Sequence, residues 1–155
     1  SSRTRRFTRP ETNVFDVALA TEAVPLVQRI VDDIRNLKSR LGSIQQEHKQ
    51  ALQASSVSSR DRFRREDDIR QLRAELRSAI DELHAMGGVL LDPITGDVGL
   101  PTLVNGSLAY LVYRQGAHSL SHWRYRDQPK LRPIPSHWMV DPRMSSQEEE
   151  EGLRL

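Results

Sequence analysis

The sequence predicts an α+β fold: a long antiparallel helical hairpin, coiled-coil-like, with a short N-terminal helix and a small three-stranded antiparallel sheet. In two separate stretches, apolar residues alternate at intervals of three and four, as they do in helices that bury a common seam. The first stretch contains Val27, Ile30, Ile34, Leu37, Leu41 and Ile44, and the second contains Ile69, Leu72, Leu76, Ala79 and Leu83. Beyond Gly88 the apolar period becomes two, which is typical of strands. Because neither seam is stable in water, we expect the two helices to fold back and bury each other.

Composition limits the class of protein. The 23 Lys and Arg residues against 21 Asp and Glu leave a net charge of +2, so no field of the whole molecule draws it onto nucleic acid or lipid. The chain has no cysteine, which excludes disulfides and thiolate chemistry. No apolar run approaches the roughly 20 residues of a membrane helix, and no signal-peptide pattern follows the arginine-rich start. We therefore expect a cytoplasmic protein without a membrane partner.

The N-terminal elements are predicted from charge and capping. Residues 1–7 carry three arginines and no acidic residue, which predicts a solvated basic tail before a single domain at residues 8–140. Thr8 and Glu11 have the spacing of a capping box, in which the hydroxyl and the carboxylate satisfy free backbone amides. This predicts a short helix from Arg9 to about Ala18.

The hairpin is predicted over residues 22–86. Thr21 provides a hydroxyl cap, and Pro25 suits the start of a helix because the first turn needs no amide donor. The small polar residues 54–59 are the reversal point. The predicted helices are Glu22–Leu52 and Arg60–Met86, closed by Gly87 and Gly88.

The sheet is predicted as a β-meander over residues 98–125. Its strands are Val98–Val104, Ser107–Arg114 and Ala117–Tyr125. Asn105-Gly106 is a strong hairpin signal, and Pro101 confines the first strand to an edge because it lacks an amide donor. The apolar second strand is expected at the centre. Residues 141–155, with four consecutive glutamates, predict a disordered acidic tail.

Several short motifs occur in order along the chain. They are Phe7-Thr8, Glu11 and Asn13, then Gly87-Gly88-Val89, Val98-Gly99-Leu100-Pro101, Asn105-Gly106, Tyr110-Leu111 and Trp123. In this order the chain resembles, over about residues 7–135, the uncharacterised prokaryotic family catalogued as domain of unknown function 2203. It departs from the family pattern at Thr12, where the family has alanine, and at Arg124, where the family has histidine. The resemblance implies the fold and, since the family has no established activity, no mechanism.

A basic and aromatic segment at residues 114–132 is the most suggestive binding site. Basic side chains bind phosphates and aromatic faces stack on bases, so this mixture is typical of proteins that bind single-stranded nucleic acid. The predicted binding residues are Arg114, Trp123, Arg124, Tyr125, Arg126 and Asp127. The alternative is that Trp123 plugs the sheet against the helices while the arginines keep the surface soluble.

No pattern identifies a metal site or a catalytic residue. His118 and His122 would stand about 13 Å apart on a strand, too far for one ion, so we expect no metal and no cofactor. Serines occur without a nucleophile elbow, and no motif places two carboxylates together. An enzyme would instead need a polar pocket between sheet and hairpin with converging carboxylates or histidines.

From these observations we expect a non-enzymatic interaction module or small oligomeric scaffold acting through its helical hairpin. Hairpins with such seams pair again, with a second copy or with a partner's helices. Val31, Leu52, Phe63 and Ile80 supply further apolar positions for that purpose. The first alternative is nucleic-acid binding through residues 114–132, and the second is an enzyme.

Overall fold

The computed structural model describes residues 14–54 and 58–139, which form two helices, an antiparallel sheet and a short 3-10 helix. The helices are α1 (Val17–Gln53) and α2 (Ser59–Ala85). The strands are β1 (Val89–Asp92), β2 (Asp97–Val104), β3 (Ser107–Tyr113), β4 (His122–Tyr125) and β5 (Arg132–Pro133), and the 3-10 helix is Ser136–Met139. The predicted α+β class is confirmed. The basic tail, the Thr8 capping box and the acidic tail lie outside the described residues.

The chain divides into two compact units. The hairpin unit is Arg29–Leu83, and the sheet unit comprises the described residues up to Gln28 and from His84. Helices α1 and α2 each contribute to both units.

Side-chain contacts show that the two helices of the hairpin unit run antiparallel. Arg29 on α1 forms an ion pair with Glu82 on α2. Further along α1, Nε2 of His48 lies 3.5 Å from Glu66, and Arg65 Nε donates to His48 Nδ1 at 3.2 Å. Rising residue numbers on α1 thus meet falling numbers on α2, as predicted.

The predicted seam is the core of the hairpin unit. Its buried members are Ile30, Ile34, Leu37, Ile69, Leu72 and Leu83, together with Val31. Leu41, Ile44, Leu76 and Ala79 are half-buried. Burial is therefore deepest at the end of the unit near Ile30 and Leu83. Coiled-coil packing of this seam stays a prediction.

Helix α1 begins at Val17, whereas the sequence predicts a start at Glu22. Its cap is Asp16, whose Oδ1 accepts the backbone N–H of Leu19 at 2.8 Å. An acidic cap of this kind satisfies a free amide of the first turn. The separate short helix predicted to end near Ala18 is wrong in its described part, because residues 14–16 are not helical and the next residues belong to α1.

The predicted cap at Thr21 is wrong for the same reason, and Pro25 lies inside α1. A proline there removes one backbone hydrogen bond. The seam nevertheless continues backward through Val17, Ala20, Val24 and Val27, all of them buried. Burial of this extra apolar stripe outweighs the missing donor, a tertiary effect that capping rules do not contain.

The predicted hairpin boundaries are otherwise close to those observed. The first helix ends at Gln53 and the second begins at Ser59, where Ser58 Oγ accepts the amide of Asp61 at 3.0 Å. Gly87 closes the second helix with φ +97° and donates to the His84 carbonyl at 3.0 Å. A left-handed residue at this place is the usual end of a helix.

The sheet has five strands, not the three predicted, in the order β1-β2-β3-β4-β5. The apolar run at Val89 forms β1, which pairs with β2, and Arg132–Pro133 forms β5 against β4. Both strands were missed because four-residue and two-residue strands carry too few alternations to show a period. The predicted third strand starts at His122, not at Ala117.

The hairpin turn between β2 and β3 is confirmed, and β3 is central as predicted. Asn105 and Gly106 have φ +53° and +78°, as a tight two-residue loop requires. The prediction that Pro101 confines its strand to an edge is wrong for the whole strand, since β2 lies between β1 and β3. The prediction holds for Pro101 itself, because β1 pairs with β2 only as far as Gly99 and leaves Pro101 without a partner in β1.

One face of the sheet forms the core of the sheet unit. The register places Val98, Leu100, Thr102, Ala109, Leu111, Tyr113 and Trp123 on this face, and all are buried. The opposite face exposes Leu103 and Leu108, which are cross-strand partners. Two hydrogen bonds of 2.7 Å join α1 and its lead-in to the strands: Phe15 N–H to the Pro101 carbonyl, and Gln28 Nε2 to the Ala117 carbonyl.

Gly99 makes a close approach that allows a test of the sheet packing. A Cβ there would lie 2.8 Å from Cγ and Cδ1 of Tyr110, whereas a Cβ on Gly42 in α1 would meet nothing within 4 Å. We expect Gly99→Ala to lower the free energy of unfolding by about 1–3 kcal/mol through overpacking. Gly42→Ala is expected to raise it by about 1 kcal/mol, the difference in helix propensity. Urea titrations of both variants measure the two signs, and a neutral Gly99→Ala would contradict the Tyr110 contact.

Candidate functional site

A shallow, open groove lies on the surface of the hairpin unit. Its volume is about 550 Å³. Helix α1 lines it with Asp33, Asn36, Leu37 and Arg40, and α2 lines it with Gln71, Ala74, Glu75, Ser78, Ala79 and Glu82. On both helices these residues recur at intervals of one, three and four, so that they lie on one side of each helix.

The floor of the groove is apolar and its sides are polar. Leu37 is buried, and Ala79, which also lines the groove, is half-buried. On α2 the exposed Ala74 and Ser78 are one turn apart, and their short side chains leave the surface hollow. An apolar centre surrounded by polar groups is the usual construction of a protein–protein contact.

Charged groups are arranged unevenly along the groove. At one end, Arg29 pairs with both Asp33, at 3.2 Å, and Glu82. Further along, Arg40 and Glu75 form no ion pair with any residue in the described ranges. One unpaired cation and one unpaired anion thus remain available to a molecule that enters the groove.

The far end of the hairpin unit is also apolar at its surface. Leu52, near the end of α1, is 49% exposed, and Phe63, in the first turns of α2, is 64% exposed. Arg70 lies over the Phe63 ring at 5.9 Å. This end has fewer buried apolar residues than the end near Ile30.

The structure places the predicted binding residue Trp123 in the core of the sheet unit. It is 7% exposed and lies opposite Leu111 on β3. Its ring contacts the Tyr125 ring edge-on at 4.9 Å and the Trp138 ring at 5.5 Å. These contacts favour the alternative interpretation of the sequence, in which Trp123 is a packing residue of the sheet and not a binding residue.

The arginines of this segment also make internal contacts. Arg132 lies over the rings of Trp123, at 5.5 Å, and Tyr125, at 5.4 Å. Its Nη2 donates to Gln128 Oε1 at 3.2 Å, while its buried Nε has no hydrogen-bond partner among the residues that the structure describes. The aromatic faces that would stack on bases therefore carry a guanidinium of the protein itself.

The other predicted residues lie at two ends of the β3–β4 pair. Arg124, on the opposite face from Trp123, lies over Tyr110 at 5.8 Å and donates to the Arg126 carbonyl at 3.0 Å. Arg126 and Asp127 form an exposed ion pair of 3.6 Å. Arg114 follows β3 at the end of the pair opposite to Tyr125, and is exposed. The structure thus brings Trp123 to Asp127 together but separates Arg114 from them.

Sequence reasoning missed the groove and the partners of Trp123. Arg132 is only the last residue of the basic segment in the sequence, because its stacking depends on β5, a strand too short to recognise. The groove has a partial signal: the small residues Ala74 and Ser78 interrupt the large side chains of α2 at helical spacing. Nucleic-acid binding through residues 114–132 stays a prediction.

Neither a metal-binding cluster nor a membrane-spanning helix is found in residues 14–54 and 58–139. Within them, no group of three or more His, Asp or Glu side chains could hold a metal ion. None of the helices described there is both long and apolar enough to span a membrane.

Comparison with known proteins characterises the chain by family. A family model described as "Uncharacterized conserved protein (DUF2203)" matches residues 13–129. The matched range contains both helices and strands β1 to β4. Neither a curated protein nor a solved structure matches the chain significantly. Phe7 to Glu11, the start of the motif seen in the sequence, precede the matched range.

Proposed function

Because the chain belongs to the uncharacterised conserved family DUF2203, whose description names no activity, we propose a function from the hairpin unit itself. The protein is a non-enzymatic interaction module that binds a helix of a protein partner in the groove between α1 and α2. The observation that carries this proposal is the groove, with its floor at Leu37 and its small side chains at Ala74 and Ser78.

The shape of the groove supports a helix as its occupant. Ridges of one helix pack into grooves of its neighbours at interaxial distances of about 8–10 Å, and small side chains shorten that distance. Ala74 and Ser78 supply such a place, and Leu37 supplies an apolar contact at its centre. The groove runs along α1 over about two turns, from Asp33 to Arg40, and along α2 over about three turns, from Gln71 to Glu82.

The incomplete burial of the seam supports the same proposal. Two helices alone cannot enclose a core on all sides, so units of this size are commonly stabilised by a further partner. The seam residue Ala79, which lines the groove, is accordingly only half-buried. A third helix laid against the pair would remove more of this apolar surface from water, with a gain of about 25 cal/mol per Å².

A site-specific photo-cross-linker tests the proposal. A benzophenone side chain at Gln71, which lines the groove, is expected to form discrete adducts with a second polypeptide in living cells. The matched control is the same side chain at Gln46, an exposed residue outside the groove lining. Ser78→Arg should lower the yield of the Gln71 adducts about tenfold by filling the groove, a loss of about 1.4 kcal/mol of binding free energy.

The corresponding control for the blocking variant is Ser39→Arg, since Ser39 is exposed and does not line the groove. It should leave the adducts unchanged. Equal labelling from Gln71 and Gln46, or no adduct from either, would reject the groove as a binding site. Mass spectrometry of the adducts identifies the captured polypeptide.

A further inference from the structure

We propose that the helix bound in the groove is α1 of a second copy of this chain, antiparallel to the first about a twofold axis close to Asn36 and Leu37. This inference rests on the proposed function and names its partner. It is carried by the charges and by the symmetry of the residues that α1 contributes to the groove.

Asp33 and Arg40 carry opposite charges, so each is complementary to the other residue in a second copy of the chain. They are seven residues apart, which is two helical turns, and both line the groove. A twofold axis midway between them brings Asp33 against the partner's Arg40, and Arg40 against the partner's Asp33. Reciprocal pairing of this kind is the signature of an interface in which the same patch is used twice.

Both groups are available for such a pair. Asp33 Oδ2 accepts from Arg29 Nη1, while Oδ1 has no partner among the described residues. Arg40 forms no ion pair within the described ranges, and its side chain is exposed. A guanidinium with free donors and a carboxylate with a free oxygen can form a charge-assisted hydrogen bond.

The middle of the contact suits close packing. Asn36 and the buried Leu37 lie nearest the axis on α1. The short Ala74 and Ser78 of α2 face the same groove, so that the partner's helix can approach both helices of the hairpin. The resulting assembly is a four-helix arrangement built from two hairpins, a common way for such units to complete a core.

Charge exchange tests the pairing. We expect the unaltered chain to be a dimer by light scattering, and Asp33→Arg or Arg40→Asp alone to weaken the dimer by at least about tenfold through like-charge contacts. The double variant Asp33→Arg with Arg40→Asp restores opposite charges and should restore the dimer. The control Asp32→Arg changes an exposed neighbour outside the groove lining and should leave the dimer intact.

Disulfide trapping tests the position of the axis. The chain has no cysteine, so a single introduced cysteine can form a disulfide only with the same cysteine in a second copy of the chain. Asn36→Cys, close to the axis, should form a disulfide-linked dimer under mild oxidation. Gln46→Cys lies about 15 Å further along the helix, so its image is far beyond the roughly 7 Å that a disulfide can bridge between Cα atoms.

The outcomes separate this inference from the proposed function. A monomer by light scattering, failure of the double variant to recover the dimer, or absence of the Asn36→Cys cross-link would each overturn the second copy as occupant. If Gln71 then captured a different polypeptide, binding of a helix in the groove would stand without self-association. If Gln71 captured nothing, both would fall.

Discussion

Replacing Trp123 by alanine is expected to lower the free energy of unfolding by about 3–5 kcal/mol, the range for an aromatic removed from a core. The side chain is 7% exposed, packs between β3 and the 3-10 helix through Leu111 and Trp138, and carries Arg132 on its face. Its loss opens a cavity and removes one of the two aromatic rings on which the Arg132 guanidinium lies. Urea unfolding followed by circular dichroism measures the change.

Trp138→Ala is the matched control, since it removes the same side chain from a half-buried position. We expect it to cost about half as much, because less apolar surface is lost from the interior. A loss of less than about 1 kcal/mol for Trp123→Ala would contradict a core role. It would return Trp123 to the list of residues able to bind a ligand.

The second large effect is expected from Ile30→Ala in the hairpin unit. Ile30 is 0% exposed, so we expect a loss of about 3–5 kcal/mol in the free energy of unfolding. Ile44 occupies the same seam but is half-buried, and Ile44→Ala should cost about 1–2 kcal/mol. The two variants carry the same chemical change, and their difference measures the decrease in burial along the helices.

Hydrogen exchange gives an independent measurement of this decrease. Backbone amides near Ile30 should be protected more strongly than those near Ile44, because local opening exposes less buried apolar surface at the far end. Equal losses for the two variants, or equal protection at the two places, would mean that a further partner covers the seam evenly. The variants should therefore be compared at low protein concentration.

The main lines of the fold could be predicted from the sequence because they depend on local and periodic signals. Two apolar stripes at helical spacing predicted the hairpin, Gly87 predicted the end of α2, and Asn105-Gly106 predicted the turn between β2 and β3. Each of these signals acts within a few residues or repeats over several turns. Such signals survive in the absence of any tertiary information.

The errors arose where tertiary contacts decided the outcome. Pro25 and Thr21 suggest a helix start, yet buried apolar residues on both sides of them extend the helix to Val17. β1 and β5 are strands only because β2 and β4 lie beside them. Trp123 lies in a segment that has the composition of a binding site, yet it is buried like a core residue. Composition alone cannot distinguish these two roles.

The groove was beyond sequence reasoning for a related reason. It is formed jointly by Leu37 on one helix and Ala74 with Ser78 on the other, nearly forty positions away. Their meeting depends on the register in which the two helices pack. The apolar spacing predicts that the helices pair but leaves this register open.

The short outer strands of the sheet have a consequence for solubility. β5 has two residues, one a proline without an amide donor and the other a charged arginine, and β1 has four residues with an irregular register near Asp92. Long regular edges recruit strands from other molecules and start fibrils. Here neither edge strand offers another molecule more than a few free backbone groups. We therefore expect little pairing between the sheets of neighbouring molecules at high protein concentration.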